Sequence, residues 1–507
     1  PAADDAKKRG GTLRIPESAS PDFFDPAATL HAGSMAWGTT TVLTSLLKYD
    51  GTGKILPHMS AIPEQPDQTT YVFKLAPNIK WQNVAPANGR AFTAEDAVFG
   101  IKRFQENVAG FLYAPFLDGV DKIEAIDATS FRIVTKAPYA PLISAIANDW
   151  CVMVNKEQRE KVGDDGLRKY ENLVGTGPFL KDTFVPNVSG SLVRNPDYFL
   201  TGKPYLDKIE FQVVTDAAAR LAAFRSHQHD VSVLWSGFTK KEADSLQQQM
   251  GNDVAIQLRR SDAFRSATFN TKTKPFSDPR VRKAVHLAID RAAIQAAIGA
   301  GSSTIMAAVP QALPLWAIPE DELSRLPGYR APKDQDIKDA KLLMEQAGYA
   351  DGLKFEADSY PAEPLAIATQ AALKAIGIDM SIKEGQTADV LAKRNSGNFT
   401  LAFASTAGGP DPDQYVYVNN ATGARANYGG FSSAAVDKLA EQQRAELNLA
   451  ARQKLVKELQ MLLLDENPWA YTVSNLLYAA SWKNVKDRVV TSGRNQWLTG
   501  DIWLDKS

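Results

Sequence analysis

Residues 278–291, with the sequence DPRVRKAVHLAIDR, give the clearest structural signal in this chain of 507 residues. The opening aspartate can cap the free N–H groups of a helix, and the proline after it is tolerated at the first helical position. From Val281 to Ala292, apolar residues recur at spacings of three and four along one face. The pattern predicts one helix that begins after Asp278 and ends at Gly299.

Strand and helix patterns alternate on both sides of this helix. A second helix is predicted over 334–348, with a strand at 353–357 directly after it. Towards the N-terminus, 70–75 has the alternation of a strand, and 93–104 begins with a helix-capping pattern. The stretch 433–465 is rich in helix and stops at Asn-Pro. This order predicts an α/β protein.

The composition excludes several classes of protein. Hydrophobic residues make up 44% and charged residues 23%, as in an ordinary globular chain. The net charge of −1 provides no basic field for nucleic acid, and no stretch reaches the ~18 apolar residues of a membrane span. The single cysteine, Cys151, excludes an intrachain disulfide. The chain begins Pro1-Ala2-Ala3, which is expected of a mature chain whose signal peptide has been removed.

The common catalytic motifs do not occur. We find no G-x-S-x-G, no H-E-x-x-H and no G-x-G-x-x-G after a strand. Residues 51–54 resemble the end of a phosphate loop, but Lys48 stands in place of its first glycine and Ile55 in place of its Ser or Thr, so we predict a turn. His227 and His229 are close enough to share a metal ion, but a polar turn between a helix ending near Arg225 and a strand is the favoured interpretation.

Two carboxylates, Asp411 and Asp413, follow an apolar strand predicted at 399–404 and a flexible Gly-Gly-Pro. They could grip an ammonium group or share a proton in acid–base catalysis. The competing interpretation is an Asx turn with both carboxylates in solvent. Glycine beyond a strand end lets a ligand approach the backbone, which makes this position a candidate site.

Several aromatic residues lie at predicted loop or strand edges, where they would suit a pocket for a small organic molecule. Each of them is also compatible with simple packing. These candidates are Phe111, Tyr113, Trp150 and Trp235.

Seven collinear motifs resemble the extracytoplasmic solute-binding proteins of peptide/nickel-type ABC importers, the family of the dipeptide- and oligopeptide-binding proteins. They span nearly the whole chain. The motifs are Gly10-Gly-Thr-Leu13 with Asp25-Pro26, Tyr71-Val-Phe-Lys-Leu75 with Lys80-Trp81, Thr93-Ala-Glu-Asp-Ala-Val98, Gly175-Thr-Gly-Pro-Phe179, Asn195-Pro-Asp-Tyr198 with Gly202-Lys-Pro204, Asp278-Pro-Arg-Val-Arg-Lys-Ala284 running to Arg291, and Ala347-Gly-Tyr349.

The resemblance implies a two-lobed α/β periplasmic binding protein of type II, a Venus-flytrap fold, with an additional α/β domain. Ligand would be enclosed between the lobes. Lobe I would comprise 1–41, 175–264 and 480–507, the additional domain 42–174, and lobe II 265–479.

Ligand-binding residues follow from the same resemblance. The segment after the early Asp-Pro maps to Leu30, His31 and Ala32, and a loop of the additional domain supplies an aromatic at Phe111 or Tyr113. Trp150 and Trp235 remain candidates from their positions alone. A strand end of lobe II maps to Ser405, Thr406, Ala407 and Gly408, with Asp411 nearby.

One departure from the family concerns the solute. Peptide binders of this family usually carry an aspartate at the position of Gly408, where it pairs with the α-ammonium group of the peptide, and an aromatic residue at Ser405. Their absence disfavours free peptides, because a buried ammonium without a partner is costly. We expect a wider and more neutral site for a peptide-like, opine-like or sugar-conjugate solute.

The sequence therefore predicts a receptor and not an enzyme. It would be a monomer that captures a small to medium organic solute outside the cytoplasm, in the periplasm or held by a lipid anchor, and delivers it to the permease subunits of an ABC importer. No metal, cofactor or nucleic acid is expected. The alternatives are a hydrolase or lyase that uses Asp411 and Asp413, and a sensor that presents its ligand to a membrane receptor.

Overall fold

The computed structural model describes residues 7–21, 23–27, 37, 41–50, 52–106, 114–233, 236–490 and 500–506. The strands are β1 Thr12–Glu17, β2 Leu47–Tyr49, β3 Ile55–Pro57, β4 Thr70–Lys74, β5 Val120–Ala125, β6 Ser130–Thr135, β7 Phe179–Val185, β8 Ser189–Arg194, β9 Lys208–Val213, β10 Val254–Phe269, β11 Ser303–Ile305, β12 Leu353–Ser359, β13 Ile378–Glu384, β14 Leu401–Thr406, β15 Trp469–Trp482, β16 Val485–Lys486 and β17 Trp503–Leu504.

Helices alternate with these strands, as predicted for an α/β protein. They are α1 Ala94–Gln105, α2 Pro141–Ile146, α3 Lys156–Leu167, α4 Ala217–Arg225, α5 Lys240–Met250, α6 Pro279–Ala288, α7 Arg291–Ile298, α8 Glu320–Leu323, α9 Asp334–Gln346, α10 Pro364–Lys374, α11 Thr387–Ser396, α12 Ala434–Ala445 and α13 Leu449–Glu466. Short 3₁₀ turns occur at Ala114–Leu117, Tyr170–Asn172 and Gly251–Asp253, and a π-helical turn at Gln414–Val418.

The chain folds into two compact units. Unit 1 contains Pro1–Arg259 and Leu477–Ser507, and unit 2 contains Arg260–Leu476. The chain therefore enters unit 2 within β10 and leaves it within β15. The finer division into lobe I, additional domain and lobe II stays a prediction.

Unit 1 contains a four-stranded sheet in the order β1-β9-β8-β7 and a three-stranded sheet in the order β4-β6-β5. One hydrophobic cluster packs against the first sheet, where the rings of Trp37 and Phe211 stack with centroids 4.4 Å apart. Another surrounds the second sheet and α1, and there Phe73 stacks on Phe131 at 4.8 Å. Each sheet thus has its own apolar core.

Unit 2 is built on a six-stranded sheet in the order β11-β15-β10-β14-β12-β13. Side chains of a strand alternate between its two faces, so β10 sends Ala267 and Phe269 into one cluster and Phe264 into another. On β14, Leu401 and Phe403 join the first cluster. Hydrophobic clusters therefore pack on both faces of this sheet, and the carboxyl end of β14 lies between them.

The helix predicted from Asp278 to Gly299 is instead two helices. Its beginning is confirmed, because the Asp278 carboxylate accepts a hydrogen bond from the backbone N–H of Arg280 at 2.9 Å. The helix then ends at Ala288, and Asp290 caps α7 by accepting from the N–H of Ala293 at 3.0 Å. The apolar face continues across the break, so periodicity alone could not reveal the second cap.

The other local predictions are confirmed. Helix α1 follows Thr93, whose backbone N–H donates to the Asp96 carboxylate at 2.9 Å. In the turn predicted over 51–54, the side chain of Asp50 accepts from the N–H groups of Thr52 and Lys54 at 2.8 and 2.9 Å. Short-range capping and turn chemistry were sufficient for these elements.

The predicted histidine turn is also confirmed, but the strand expected after it is reduced to an isolated bridge between Val231 and Ser481. Helix α4 ends at Arg225, and His227 takes the left-handed conformation, with φ at 58°, and stacks on Trp482. His229 points elsewhere and is hydrogen bonded to Gln212. Among the described residues, no group of three or more His, Cys, Asp or Glu side chains is arranged to hold a metal ion.

Within the described part of the chain, no helix combines the length and the hydropathy that crossing a bilayer requires.

We expect Asp290→Ala to lower the free energy of unfolding by about 1 kcal/mol, because it removes the cap of α7. Asp334→Ala is the control, since the exposed Asp334 lies in the first turn of α9 but does not cap it. Chemical denaturation of both variants measures the difference. Equal stability of the two variants would contradict this role of Asp290.

Candidate functional site

The carboxyl end of β14 brings together four of the predicted ligand residues. Ser405 is exposed, Thr406 is buried, Ala407 is half-buried and Gly408 is buried. In the antiparallel pairing of β14 with β10, Ser405 lies beside Arg265. The strand end therefore presents one exposed hydroxyl beside a guanidinium group.

Gly408 does not open the site in the way that the sequence suggested. A β carbon at this position would overlap the backbone carbonyl of Asp262 and the hydroxyl of Tyr415. That hydroxyl lies 2.9 Å from Asp262 O and accepts a hydrogen bond from Gly409 N at 3.0 Å. The expectation of extra width at Gly408 is wrong, because the backbone of β10 and a tyrosine fill the space.

Asp411 is buried and faces Arg452 on α13. The two guanidinium Nη atoms donate to its carboxylate oxygens at 2.6 and 3.0 Å. The N–H of Asp413 also donates to Asp411 at 2.9 Å, which makes the predicted Asx turn. The turn is confirmed, but neither aspartate is in solvent, since both are at most 2% exposed. Asp411 is thus already paired within the protein, and its contact with a ligand stays a prediction.

Asp413 lies deeper in the same cluster. Its Oδ1 accepts from Gln443 Nε2 at 2.6 Å and lies 3.3 Å from Arg444 Nε, whereas its Oδ2 has no hydrogen-bond partner among the described residues. Burial raises the pKa of Asp413 to about 6, against the opposing effect of Arg444.

Arg394, at the end of α11, folds back onto β14. Its Nη1 donates to the backbone oxygen of Ser405 at 3.1 Å and to Thr406 Oγ1 at 3.4 Å, and its guanidinium stacks 4.2 Å from the ring centre of Tyr428. The side chain is 4% exposed, and burial lowers its pKa. No carboxylate of the described residues forms an ion pair with it.

A second arginine completes this end of the strand. Arg265 Nη1 donates to both oxygens of Glu363, the N-terminal cap of α10. Tyr360 faces Ser405, Arg394, Glu363 and Arg265, and burial raises its pKa. We call these five residues the β14 rim: Arg265, Tyr360, Glu363, Arg394 and Ser405.

Sequence reasoning missed four members of the rim. Arg394 is a basic residue in the last turn of a helix, where a favourable interaction with the helix dipole is the ordinary explanation. Arg265 and Glu363 are separated by almost a hundred positions in the sequence. Only the register of β10 with β14 brings Arg265 beside Ser405.

The remaining predicted residues lie elsewhere. Trp150 is 2% exposed and packs in the cluster around α1, beside the buried Cys151, whose pKa burial raises to about 12. Its surroundings are those of a core residue. Leu30, His31, Ala32, Phe111, Tyr113 and Trp235 lie outside the described residues.

Comparison with known proteins identifies the family. The family model of the bacterial extracellular solute-binding proteins, family 5 Middle, matches residues 57–428, well over half of the chain. The chain belongs to this family. It is a solute-binding protein and not an enzyme, and no comparison supports the hydrolase or lyase alternative.

Relatives of this solute-binding protein match over most of their length. Di/tripeptide-binding protein 2 of Pseudomonas aeruginosa is 23% identical over 502 residues, which cover 94% of this chain and 91% of that protein. The dipeptide-binding protein of Escherichia coli is 24% identical over 508 residues, with coverage of 94% and 90%. The prediction of a substrate-binding receptor of an ABC importer is confirmed at the level of the family.

Solved structures confirm the predicted fold class. The ABC transporter-associated periplasmic binding protein DppA of Helicobacter pylori, in complex with the peptide STSA, superposes with a TM-score of 0.83 at 22% identity and full coverage of both chains. The periplasmic binding protein AgaA of A. tumefaciens, in complex with agropinic acid, gives a TM-score of 0.80 at 23% identity, covering 98% of this chain and 99% of that one.

The buried Asp413 makes stability depend on pH. A carboxyl whose pKa is raised on folding binds its proton more tightly in the folded state, so its contribution to stability is lost as pH rises from about 4 to about 6. We expect Asp413→Asn to remove this loss. Unfolding free energies of both proteins from pH 4 to 7 test it, with Asp334→Asn as the exposed control. Parallel pH curves for wild type and Asp413→Asn would refute the assignment.

Replacement of Gly408 by aspartate should destabilise the protein before any ligand is added. The new β carbon must displace the backbone of Asp262, so we expect a loss of about 2 kcal/mol or more. Ser405→Asp places the same charge at an exposed position of the same strand end and should cost much less. Thermal unfolding without ligand compares the two. An unchanged melting temperature for Gly408→Asp would show that the contact is not tight.

Proposed function

We propose that this receptor captures a small to medium organic solute that carries a carboxylate and needs no free α-ammonium group. The observation that carries the proposal is Arg394, a buried cation at the β14 rim whose described partners are all uncharged. Neighbouring hydroxyls of Ser405 and Tyr360 would help to bind the same anionic group.

The argument for a carboxylate is electrostatic. A buried cation without a counter-ion is costly, and carbonyl, hydroxyl and ring contacts offset only part of that cost. Arg394 is held in position by Ser405, Thr406 and Tyr428, so its guanidinium is preorganised for a planar anion. A ligand carboxylate at the rim would supply the missing charge.

The argument against an ammonium group rests on the carboxylates of unit 2 near this strand end. Position 408 has no side chain and no space for one. Asp411 is held by Arg452 and Glu363 by Arg265. At either of these two carboxylates, an ammonium group would have to displace an existing ion pair to gain a partner, and this supports an amine-blocked or amine-free solute.

Known relatives are compatible with this range of solutes. The names of the curated relatives include di/tripeptide-binding proteins, and the AgaA structure holds agropinic acid. We therefore propose a peptide-like, opine-like or sugar-conjugate solute with a carboxylate.

The other parts of the proposal come from the family resemblance. Contacts from Leu30, His31, Ala32 and from Phe111 or Tyr113 remain part of the proposed site. We further propose that the protein acts as a monomer outside the cytoplasm and delivers its solute to the permease subunits of an ABC importer. Lipid anchoring would be compatible with this role.

Identification of the natural solute tests the proposal first. Native mass spectrometry of the purified protein, followed by denaturation, should release a compound that contains a carboxylate and is chemically unchanged by the protein. A released cation without an acidic group would refute the proposed class. A compound that the protein converts to a product would refute the receptor itself.

A four-member panel then separates the two ends of the ligand. Calorimetry compares a dipeptide with free ends, its N-acetyl form, its C-terminal amide and the doubly blocked form. We expect acetylation to change affinity by less than about threefold and amidation to weaken binding about tenfold or more. The reverse order, or no binding by any member, would contradict a carboxylate-anchored peptide-like solute.

The Arg394→Met variant tests the residue itself. It should abolish the preference for the free carboxylate while the doubly blocked compound binds as before, because only the charge interaction is lost. Arg325→Met is the control, since Arg325 is an exposed arginine of the same unit. A carboxylate preference that survives Arg394→Met would assign the role to another cation.

A further inference from the structure

A polar groove lies on the four-stranded sheet of unit 1. On β1 and β9, Ile15 and Phe211 belong to the hydrophobic core, so their neighbours Arg14, Glu210 and Gln212 project from the opposite face. There the groove encloses about 400 Å³, a size typical of small-molecule sites. We call it the sheet groove.

The strand register explains its shape. Across the sheet, Arg14 lies beside Glu210, Glu210 beside Ser191, and Ser191 beside Thr183. The lining side chains of β8 are short, at Ser189 and Ser191, whereas those of β1 and β9 are long. The short side chains of β8 therefore form the floor of a depression, and the long side chains of β1 and β9 form its wall.

The charges around the groove are already paired. Arg14 Nη2 lies 2.7 Å from Asp230 Oδ1, and Lys208 Nζ lies 3.1 Å from Glu210 Oε1. Ser191 Oγ donates to Asp182 at 2.6 Å. A ligand with a net charge would therefore find no unpaired counter-ion among these groups, which favours a neutral one.

The groove wall retains hydrogen-bonding capacity. His229 is 2% exposed and lines the groove, and its Nε2 is 3.0 Å from Gln212 Oε1. Nδ1 has no partner among the described residues but is itself buried, so it is not presented to the groove. The hydrogen-bonding groups that a ligand hydroxyl can meet are the lysine, arginine and serine side chains that line the groove.

We propose that the sheet groove is a second binding site, specific for a neutral polyhydroxylated molecule such as a mono- or disaccharide. Closely spaced hydroxyls match a surface in which serine, carboxylate, guanidinium and amide groups alternate. The site lies wholly within unit 1 and shares no residue with the β14 rim of unit 2. It is therefore independent of the proposed solute site.

Binding of trehalose and of methyl β-glucoside tests the proposal, with glucosamine and glucuronate as charged analogues. We expect saturable binding of at least one neutral sugar by calorimetry, with each charged analogue binding more weakly. Ser189→Leu should fill the groove and weaken sugar binding about tenfold or more. Glu210→Gln keeps the shape but loses a charged acceptor, and should weaken binding severalfold.

Ser381→Leu is the matched control, because it makes the same change at an exposed strand position of unit 2. It should leave sugar affinity unchanged. Ser189→Leu should also leave the carboxylate-dependent binding at the β14 rim unchanged, so failure of one proposal can be distinguished from failure of the other. Absence of saturable binding, or equal sugar affinity in Ser189→Leu and wild type, would overturn the second site.

Discussion

The backbone of Gly408 packs against the carbonyl group of Asp262, and the arrangement of the chain beyond β14 depends on this contact. The hydroxyl of Tyr415 lies against the same carbonyl and joins it to Gly409. Because the chain is fixed here, the following turn carries Asp411 and Asp413 into the interior of unit 2 instead of towards solvent. The groups left at the strand end are those of the β14 rim, of which Ser405 is exposed and Arg394 and Glu363 are buried.

Burial then decides the chemistry of the charged groups. A charge removed from water is tolerated when a partner accompanies it. Asp411 has Arg452, and in unit 1 the buried Arg103 donates to Asp25 at 2.9 and 2.5 Å. Arg394 has only neutral described contacts, as do the buried Arg282 and Arg488, which donate to backbone carbonyl or serine oxygens. Arg394 differs from these two in its place at the β14 rim, where in the proposed function a ligand carboxylate provides the missing charge.

Gly408, where the family resemblance implies an aspartate in peptide binders, has a different meaning in the structure than in the sequence. As a sequence difference, Gly408 suggested a wider and more neutral site. In the fold, its missing side chain allows close approach of two strands and a tyrosine. In the proposed function the absence of ammonium recognition then follows from packing and not from added volume. Selectivity in that proposal comes from the cations at the rim.

Local chemistry in the sequence determined the elements of this protein and its family. Caps at Thr93 and Asp278 and the turn after Asp50 require only neighbouring residues, so pattern and propensity were sufficient. The seven family motifs predicted the fold class, because their order along the chain can be read without knowledge of tertiary contacts.

Only the tertiary structure decided where helices break, which charged side chains pair and which are buried. The break at Asp290 escaped notice because the apolar face continues through it. The pairing of Arg265 with Glu363, and the return of Arg394 onto β14, join residues that are distant in sequence or that have an ordinary local explanation. Whether a charged side chain is solvated, paired or left for a ligand depends on burial and on partners from other strands and helices, and no local pattern in the sequence encodes either.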